Sequence, residues 1–371
     1  MMNRRKFLQS AFLPLAAQMA SPLFQGGVLA QARAQGAGMM GQPRQRIIEA
    51  NGIRINIAEQ GSGPLVLLCH GFPETWYSWR HQLGALAAAG FHAVAPDMRG
   101  YGRSDRPEAI DQYTIFHLVG DVIGVLDALE AKRAVIVGHD VGASVAWQAA
   151  QLRPDRIRAV AGLSVPFRPR AKQRPTSVMP QTPDAEFYML YFQKPGLAEA
   201  EFESDPRATM RNMLFGASGD GVAAARAAAA VSGAAPNLAM VPRGGRFMRG
   251  PGAPATLPAW LSEADIDIYA SEFRRTGFRG PLGYYRNLDR NWEIQAALSG
   301  AEITVPALYI AGDRDFMVSA PGMDQLIVNL KHFVPGLRKI QMLPGCGHWT
   351  QQERAAEVNA ALLEFLRNLP A

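Results

Sequence analysis

In the run Val135-Ile136-Val137-Gly138-His139-Asp140-Val141-Gly142-Ala143, a carboxylate sits at the centre of a glycine-flanked triplet. An apolar, strand-like stretch precedes it, and a helix carrying Val145, Ala146 and Trp147 follows. The pattern has the form of a G-x-S-x-G nucleophile elbow with aspartate in the serine position. A turn this tight leaves no room for side chains at Gly138 and Gly142. It also presents Asp140 at a helix N-terminus, where partial positive charge favours a carboxylate. A carboxylate so placed can displace a leaving group from saturated carbon, giving an alkyl ester that water must then hydrolyse. The competing reading of Asp140 is a helix cap, a common role for aspartate.

An elbow of this kind expects an acid and then a histidine, each at the end of a later strand. Asp315 follows the strand-like run Ala307 to Ala311 within Gly312-Asp313-Arg314-Asp315. His348 follows Arg338 to Leu343 within Pro344-Gly345-Cys346-Gly347-His348-Trp349. His348 is then the base that activates water, and Asp315 fixes its tautomer and stabilises the imidazolium. Asp313 competes for the acid role. His70, in His70-Gly71-Phe72-Pro73, reads as a structural hydrogen-bonding histidine. Phe72, Trp76, Trp79 and Phe167 can line an apolar pocket or belong to the core.

The elements that must position these groups begin at Arg46, where strand-forming segments alternate with helices, as in a largely parallel sheet covered on both faces. Leu65 to Cys69, His92 to Ala95 and Ala134 to Val137 read as buried strands, and His117 to Ala131 has helical spacing. After Pro166 the sequence becomes Arg/Pro-rich and then helical, with no buried-strand run until Ile303. Residues 43–166 and 296–371 are therefore assigned to an α/β core and 167–295 to an inserted helical lid. The Ala/Gly-rich part of the lid, Gly216 to Ala255, reads as partly irregular. A helix over Arg354 to Leu366 closes the chain.

Residues 1–34 read as an export signal: Arg4-Arg5-Lys6-Phe7-Leu8, then an apolar stretch to Leu29 and small-residue cleavage sites at Ala30-Gln31-Ala32 and Ala32-Arg33-Ala34. The paired arginines resemble the bacterial twin-arginine signal, which implies export to the periplasm and no permanent membrane anchor. Arg4, Arg5 and Lys6 supply half of the formal net charge of +6, so the remainder is only mildly basic and gives no sign of nucleic-acid binding. Cys69 and Cys346 are the two cysteines, expected as free thiols. No metal-ligand spacing or phosphate-binding glycine loop is present, so neither a metal nor an organic cofactor is expected.

From roughly Arg46 to Leu366 the chain resembles the soluble epoxide hydrolases of the α/β-hydrolase fold and is similar to the hydrolase domain of the mammalian soluble enzyme. The resemblance rests on His70-Gly71-Phe72-Pro73-Glu74, Trp76-Tyr77-Ser78-Trp79-Arg80, Gly100-Tyr101-Gly102-Arg103-Ser104 and Gly138-His139-Asp140. In the lid it rests on Tyr191-Phe192-Gln193-Lys194-Pro195-Gly196 and on Gly277 to Asn287. It implies a mostly parallel central sheet with helices on both faces and a helical lid. It also implies conversion of an epoxide and water to a vicinal diol through an ester on Asp140, hydrolysed with His348 as base and Asp315 as its partner. Two lid tyrosines, falling on Tyr191 and Tyr285, support the epoxide oxygen, with Tyr188 and Tyr284 as neighbouring alternatives. The backbone N–H groups of Phe72 and Val141 form the oxyanion hole, and Phe72, Trp76 and Phe167 are assigned to the substrate pocket.

One position departs from the pattern. The residue after the nucleophile, a tryptophan in haloalkane dehalogenases where it helps hold halide, is Val141 here. Two rival readings remain: a haloalkane or haloacetate dehalogenase using the same Asp140, Asp315 and His348, and a noncatalytic small-molecule binding protein on the same scaffold.

Overall fold

Leu65–Cys69 is buried at every position, as expected of a strand covered on both faces. Alternate residues of such a strand point to opposite faces. Val66 and Leu68 pack with Leu83, Leu86, Val358 and Leu362 on one side. Leu65, Leu67 and Cys69 pack with Leu118, Val122, Val145 and Ala146 on the other. The computed structural model describes residues 41–232, 239–249 and 252–370. The export-signal reading of residues 1–34 lies outside the described residues.

The strands, in chain order, are β1 (Arg44–Ala50), β2 (Ile53–Gln60), β3 (Leu65–Cys69), β4 (His92–Pro96), β5 (Ala134–His139), β6 (Ile157–Leu163), β7 (Ala185–Phe187), β8 (Met240–Pro242), β9 (Ala307–Gly312) and β10 (Leu337–Leu343). Eight of them form one sheet in the order β1-β2-β4-β3-β5-β6-β9-β10. β2 runs antiparallel to both β1 and β4, and the remaining neighbours are parallel. Helices Ile115–Ala128 and Val141–Leu152 contribute to one face, and Arg80–Ala88 and Ala355–Arg367 to the other.

The chain goes from β3 outward to β4 and then returns to β5 on the other side of β3. In open α/β sheets, the crevice beyond the strand ends at such a reversal is where ligands bind. Cys69 of β3 pairs in register with Gly138 of β5, so the loop after β3 and the elbow after β5 start side by side. Between β6 and β9 comes the insertion, a set of helices with β7 and β8 paired antiparallel. Its apolar residues Phe192, Phe202, Phe278 and Tyr285 share one hydrophobic cluster with Phe72 and Trp147 of the core.

Two local readings shift. The first long helix spans Ile115–Ala128 and not His117 to Ala131: the Ile115 N–H is taken by Asn291 Oδ1 at 2.8 Å, and Glu130 adopts a φ of +54°, which ends the helix. The Ala/Gly-rich stretch contains a helix, Gly219–Ser232, because its alanines have the highest helix propensity and Val222 is buried. No helix among the described residues is long and apolar enough to cross a membrane.

Candidate active site

The turn after β5 is as tight as its glycines suggest. A Cβ on Gly142 would lie 2.2 Å from the Cys69 carbonyl oxygen, and one on Gly138 would lie 2.1 Å from that of Gly142. Asp140 itself has a φ of +53° and a ψ of −120°, a strained backbone conformation for any residue but glycine. It occupies the N-cap position of Val141–Leu152, yet its side chain makes no capping bond. Its Oδ1 instead accepts the Phe72 N–H at 2.9 Å, and its Oδ2 lies 3.5 Å from His348 Nε2. The helix-cap reading is thereby set aside: the carboxylate points back across the sheet end, toward the loop after β3.

His348, beyond the end of β10, stands between two carboxylates. Its Nδ1 is 3.1 Å from Asp315 Oδ1 and 3.2 Å from Asp315 Oδ2. Asp315 is fully buried and accepts the Met317 N–H at 2.9 Å. Asp313, its rival in the sequence, is exposed and accepts the Gly345 N–H at 2.7 Å, so it braces the loop and does not reach the histidine. Ser164, at the end of β6, donates its hydroxyl to Asp315 Oδ2 at 2.5 Å and lies 2.9 Å from His348 Nδ1. Nothing in the sequence marks this serine, whose contribution depends on β6 ending beside β9.

Burial works against charge throughout this cluster, but the charges sustain one another. Burial raises the Asp140 carboxyl, and His348, His139 and the Phe72 N–H outweigh it and hold Asp140 below the usual carboxylate range. Asp315 is likewise held low against burial, by His348, Ser164 and the Met317 N–H. Burial lowers the His348 imidazole, yet Asp315 and Asp140 together lift it well above its ordinary value. Both carboxylates thus favour the imidazolium form of His348 in the free protein.

A second buried network lies beneath the elbow. His139 Nδ1 is 2.6 Å from Glu74 Oε2, and its Nε2 is 2.7 Å from the His348 carbonyl oxygen. Glu74 also accepts the Gly71 N–H at 3.0 Å and the side-chain amides of Gln351 at 2.9 Å and Gln352 at 3.1 Å. One buried carboxylate thereby links the loop after β3, the elbow and the segment after His348. Glu74 and His139 stand in the His70–Glu74 and Gly138–Asp140 motifs, but nothing in the residue types alone marks this bracing role. His70 is structural: Met98 N–H donates to Nε2 at 3.0 Å, which leaves the proton on Nδ1 for the Gly71 carbonyl at 2.9 Å.

The lid tyrosines divide differently from the sequence reading. Tyr191 is turned away from the site, its hydroxyl donating to Glu201 Oε2 at 2.6 Å. The same carboxylate accepts the N–H groups of Phe247 at 3.0 Å and Met248 at 2.7 Å, so Tyr191 serves to fasten a lid loop. Tyr284 is also engaged, donating to the Arg99 carbonyl at 2.8 Å. Tyr188 and Tyr285 are the pair that the structure brings together. Their ring centroids are 6.3 Å apart, both are buried, and neither hydroxyl bonds to another described residue. Burial first, and then the charge of Asp140, push both phenols far above their ordinary value, so both keep their protons.

Of the pocket residues, Phe72 lies edge-on to Tyr285 at 5.4 Å and near Phe192 at 5.8 Å. Phe167 is buried against Trp147, 6.4 Å between rings. Trp76 does not join them: it packs with the cluster on the opposite face of the sheet, because the short helix Trp76–Trp79 turns its ring away from the lid. The Val141 N–H forms no hydrogen bond among the described residues, and Val141 is only partly buried.

This sheet order, with an elbow after β5, an acid after β9 and a histidine after β10, defines an α/β-hydrolase, and residues 64–355 match the family described as alpha/beta hydrolase fold. The chain is 48% identical over 335 residues to epoxide hydrolase A of Mycobacterium tuberculosis, covering 89% of this chain and 99% of that protein. It is 39% identical over 316 residues to bifunctional epoxide hydrolase 2 of Sus scrofa, covering 85% of this chain and 53% of that protein. Among solved structures, an epoxide hydrolase from an endophytic Streptomyces superposes with a TM-score of 0.82 at 46% identity, covering 88% of this chain and 96% of that one. The chain belongs to the epoxide hydrolases of the α/β-hydrolase fold.

Proposed function

We propose that the protein opens epoxides with water in two steps, using Asp140 as nucleophile. The observation that carries this reading is the pair of uncommitted phenols, Tyr188 and Tyr285, within the field of the Asp140 carboxylate. Asp140 Oδ2 attacks an epoxide carbon and the carbon–oxygen bond breaks. The departing oxygen, gaining charge, is met by donors that stay protonated at neutral pH. Oδ1 remains the carbonyl oxygen of the new ester, already facing the Phe72 N–H.

Alkylation removes the negative charge of Asp140 and with it one of the two groups that lift His348. The histidine then gives up its proton more readily, a proton passes to the alkoxide of the opened epoxide to make the first hydroxyl, and neutral His348 becomes the base for the second step. Water, deprotonated by His348, adds to Cγ of Asp140. The oxyanion on Oδ1 is held by the Phe72 N–H, with the Val141 N–H as second donor. Collapse breaks the ester C–O bond at Cγ, the proton left on the added oxygen passes to the leaving oxygen, and His348 keeps the proton it took from water. The diol leaves with the former Asp140 Oδ2, and a solvent oxygen stays in the carboxylate. Asp315, fixed by Ser164 and Met317 N–H, keeps the imidazole oriented.

Single turnover of terminal and aryl epoxides in oxygen-18 water tests the scheme. Label is expected in the peptide carrying residue 140 and not in the first diol formed. Diol labelled from solvent, with none released from a prelabelled Asp140, overturns it. A His348→Gln variant is expected to accumulate the ester.

The N-terminal segment adds a location to this proposal. Arg4-Arg5-Lys6-Phe7-Leu8 and the apolar stretch after it support export to the periplasm by the twin-arginine route. An Arg4→Lys, Arg5→Lys variant that reaches the periplasm unchanged counts against that route.

A further inference from the structure

Glu353 ends the short helix Thr350–Glu353, and its carboxylate bonds to three backbone N–H groups and to no cation among the described residues. Oε2 accepts from Gly347 at 2.9 Å and from Gly219 at 2.9 Å, and Oε1 accepts from Trp349 at 3.0 Å. Gly347 and Trp349 are the residues immediately before and after His348, whereas Gly219 opens the lid helix Gly219–Ser232. The same stretch meets the lid twice more: His348 N–H donates to the Ala217 carbonyl at 2.9 Å, and Trp349 Nε1 to that of Leu214 at 2.7 Å. The two backbones run so close that a Cβ on Gly347 would lie 2.2 Å from Gly219 N. Burial pushes the Glu353 carboxyl above its ordinary range against these donors, so a costly group is kept at this junction.

We propose that Glu353 is a positioning residue for His348, clamping the backbone on both sides of the histidine and tying it to the first turn of the lid helix. Through it, the step that needs His348 depends on a docked lid. Alkylation draws on Asp140, Tyr188 and Tyr285, none of which Glu353 touches. Hydrolysis needs His348 Nε2 aimed at a water, and a displacement of about 1 Å there costs roughly 100-fold. Glu353 therefore acts on the second step alone. The inference rests on the two-step reading above.

The test is a rapid-quench single turnover of the full-length protein with styrene oxide, following by mass spectrometry the peptide that carries residue 140. In Glu353→Ala, hydrolysis of the ester is expected to slow about 10- to 100-fold while alkylation stays within about threefold, so that ester accumulates. Glu353→Gln, whose carbonyl oxygen can still accept from Gly219 and Gly347, is expected to recover part of the hydrolysis rate. The amplitude of ester formation counts folded sites, so a loss of folded protein does not alter either rate. Equal slowing of both steps, or no change in either, overturns the positioning role. If wild type and His348→Gln both turn over without ester on Asp140, the two-step reading falls and takes this inference with it.

Discussion

His348 Nε2 lies 3.5 Å from Asp140 Oδ2, an ion-pair separation that couples the charge of the Asp140 carboxylate to the basicity of the histidine. In the proposed two-step reaction this coupling makes the order of the steps self-enforcing, since His348 is released as a base only after Asp140 has been alkylated.

In Asp140→Asn the His348 pKa is expected to fall relative to wild type, because one of the two carboxylates raising it is gone. Nuclear magnetic resonance titration of the His348 ring reads this directly, and an unchanged value refutes the coupling. Turnover by this variant is expected to drop by a factor on the order of 10⁴ to 10⁶.

The pH dependence of the two steps should separate for the same reason. Asp140 is held below the carboxylate range, so alkylation measured in single turnover is expected to stay flat from neutral into mildly acidic solution. Hydrolysis requires neutral His348 in the ester state and is expected to fall as pH drops. In the free enzyme the linkage to folding has two signs. The raised His348 adds stability that is full below about pH 6.5 and is lost as pH rises through its folded value. Asp140 and Asp315 add stability that is present above about pH 4 and is lost as pH falls through their lowered values.

Tyr188 and Tyr191 are expected to respond to the same substitution in different ways. Tyr188→Phe, like Tyr285→Phe, removes a donor to the developing alkoxide and should slow alkylation by about 10²- to 10³-fold. Tyr191→Phe removes a bond to Glu201 and should instead cost about 1–3 kcal/mol of stability, with alkylation little changed. Alkylation rates beside thermal melts of the three variants distinguish the assignments.

Glu74→Ala leaves His139, Gln351 and Gln352 without their buried acceptor. The expected loss is about 3–5 kcal/mol, or on the order of 10 °C in melting temperature. A melt within a degree or two of wild type contradicts the bracing role given to this carboxylate.

Much of this was readable in the chain. The elbow, Asp315 and His348 were found because a tight turn demands glycines and because strand order dictates chain order. Tyr188 and Tyr191 were not separable, since residues three apart lie on neighbouring positions of one helix face. Only the placement of Glu201 on the adjoining helix decides which hydroxyl is free. Asp313 and Asp315 differ by two positions in a turn whose path is set by β9 and β10 packing together. Trp76 packs away from the lid, and its aromatic type says nothing about which face of the sheet it covers. Ser164 and Glu74 are ordinary polar residues in sequence, and gain their roles only when distant strands end side by side.

The Glu201 carboxylate carries a consequence for how the substrate range of such an enzyme changes over time. It suspends Phe247 beside Tyr188, 5.9 Å between rings, from a loop whose described residues share no hydrogen bond with Asp140, Asp315 or His348. The wall and the chemistry are thus heritable separately: substitutions along that loop can reshape what fits against Tyr188 while the reacting groups stay as they are. New epoxides come within reach by redrawing the rim, with the old reaction kept intact.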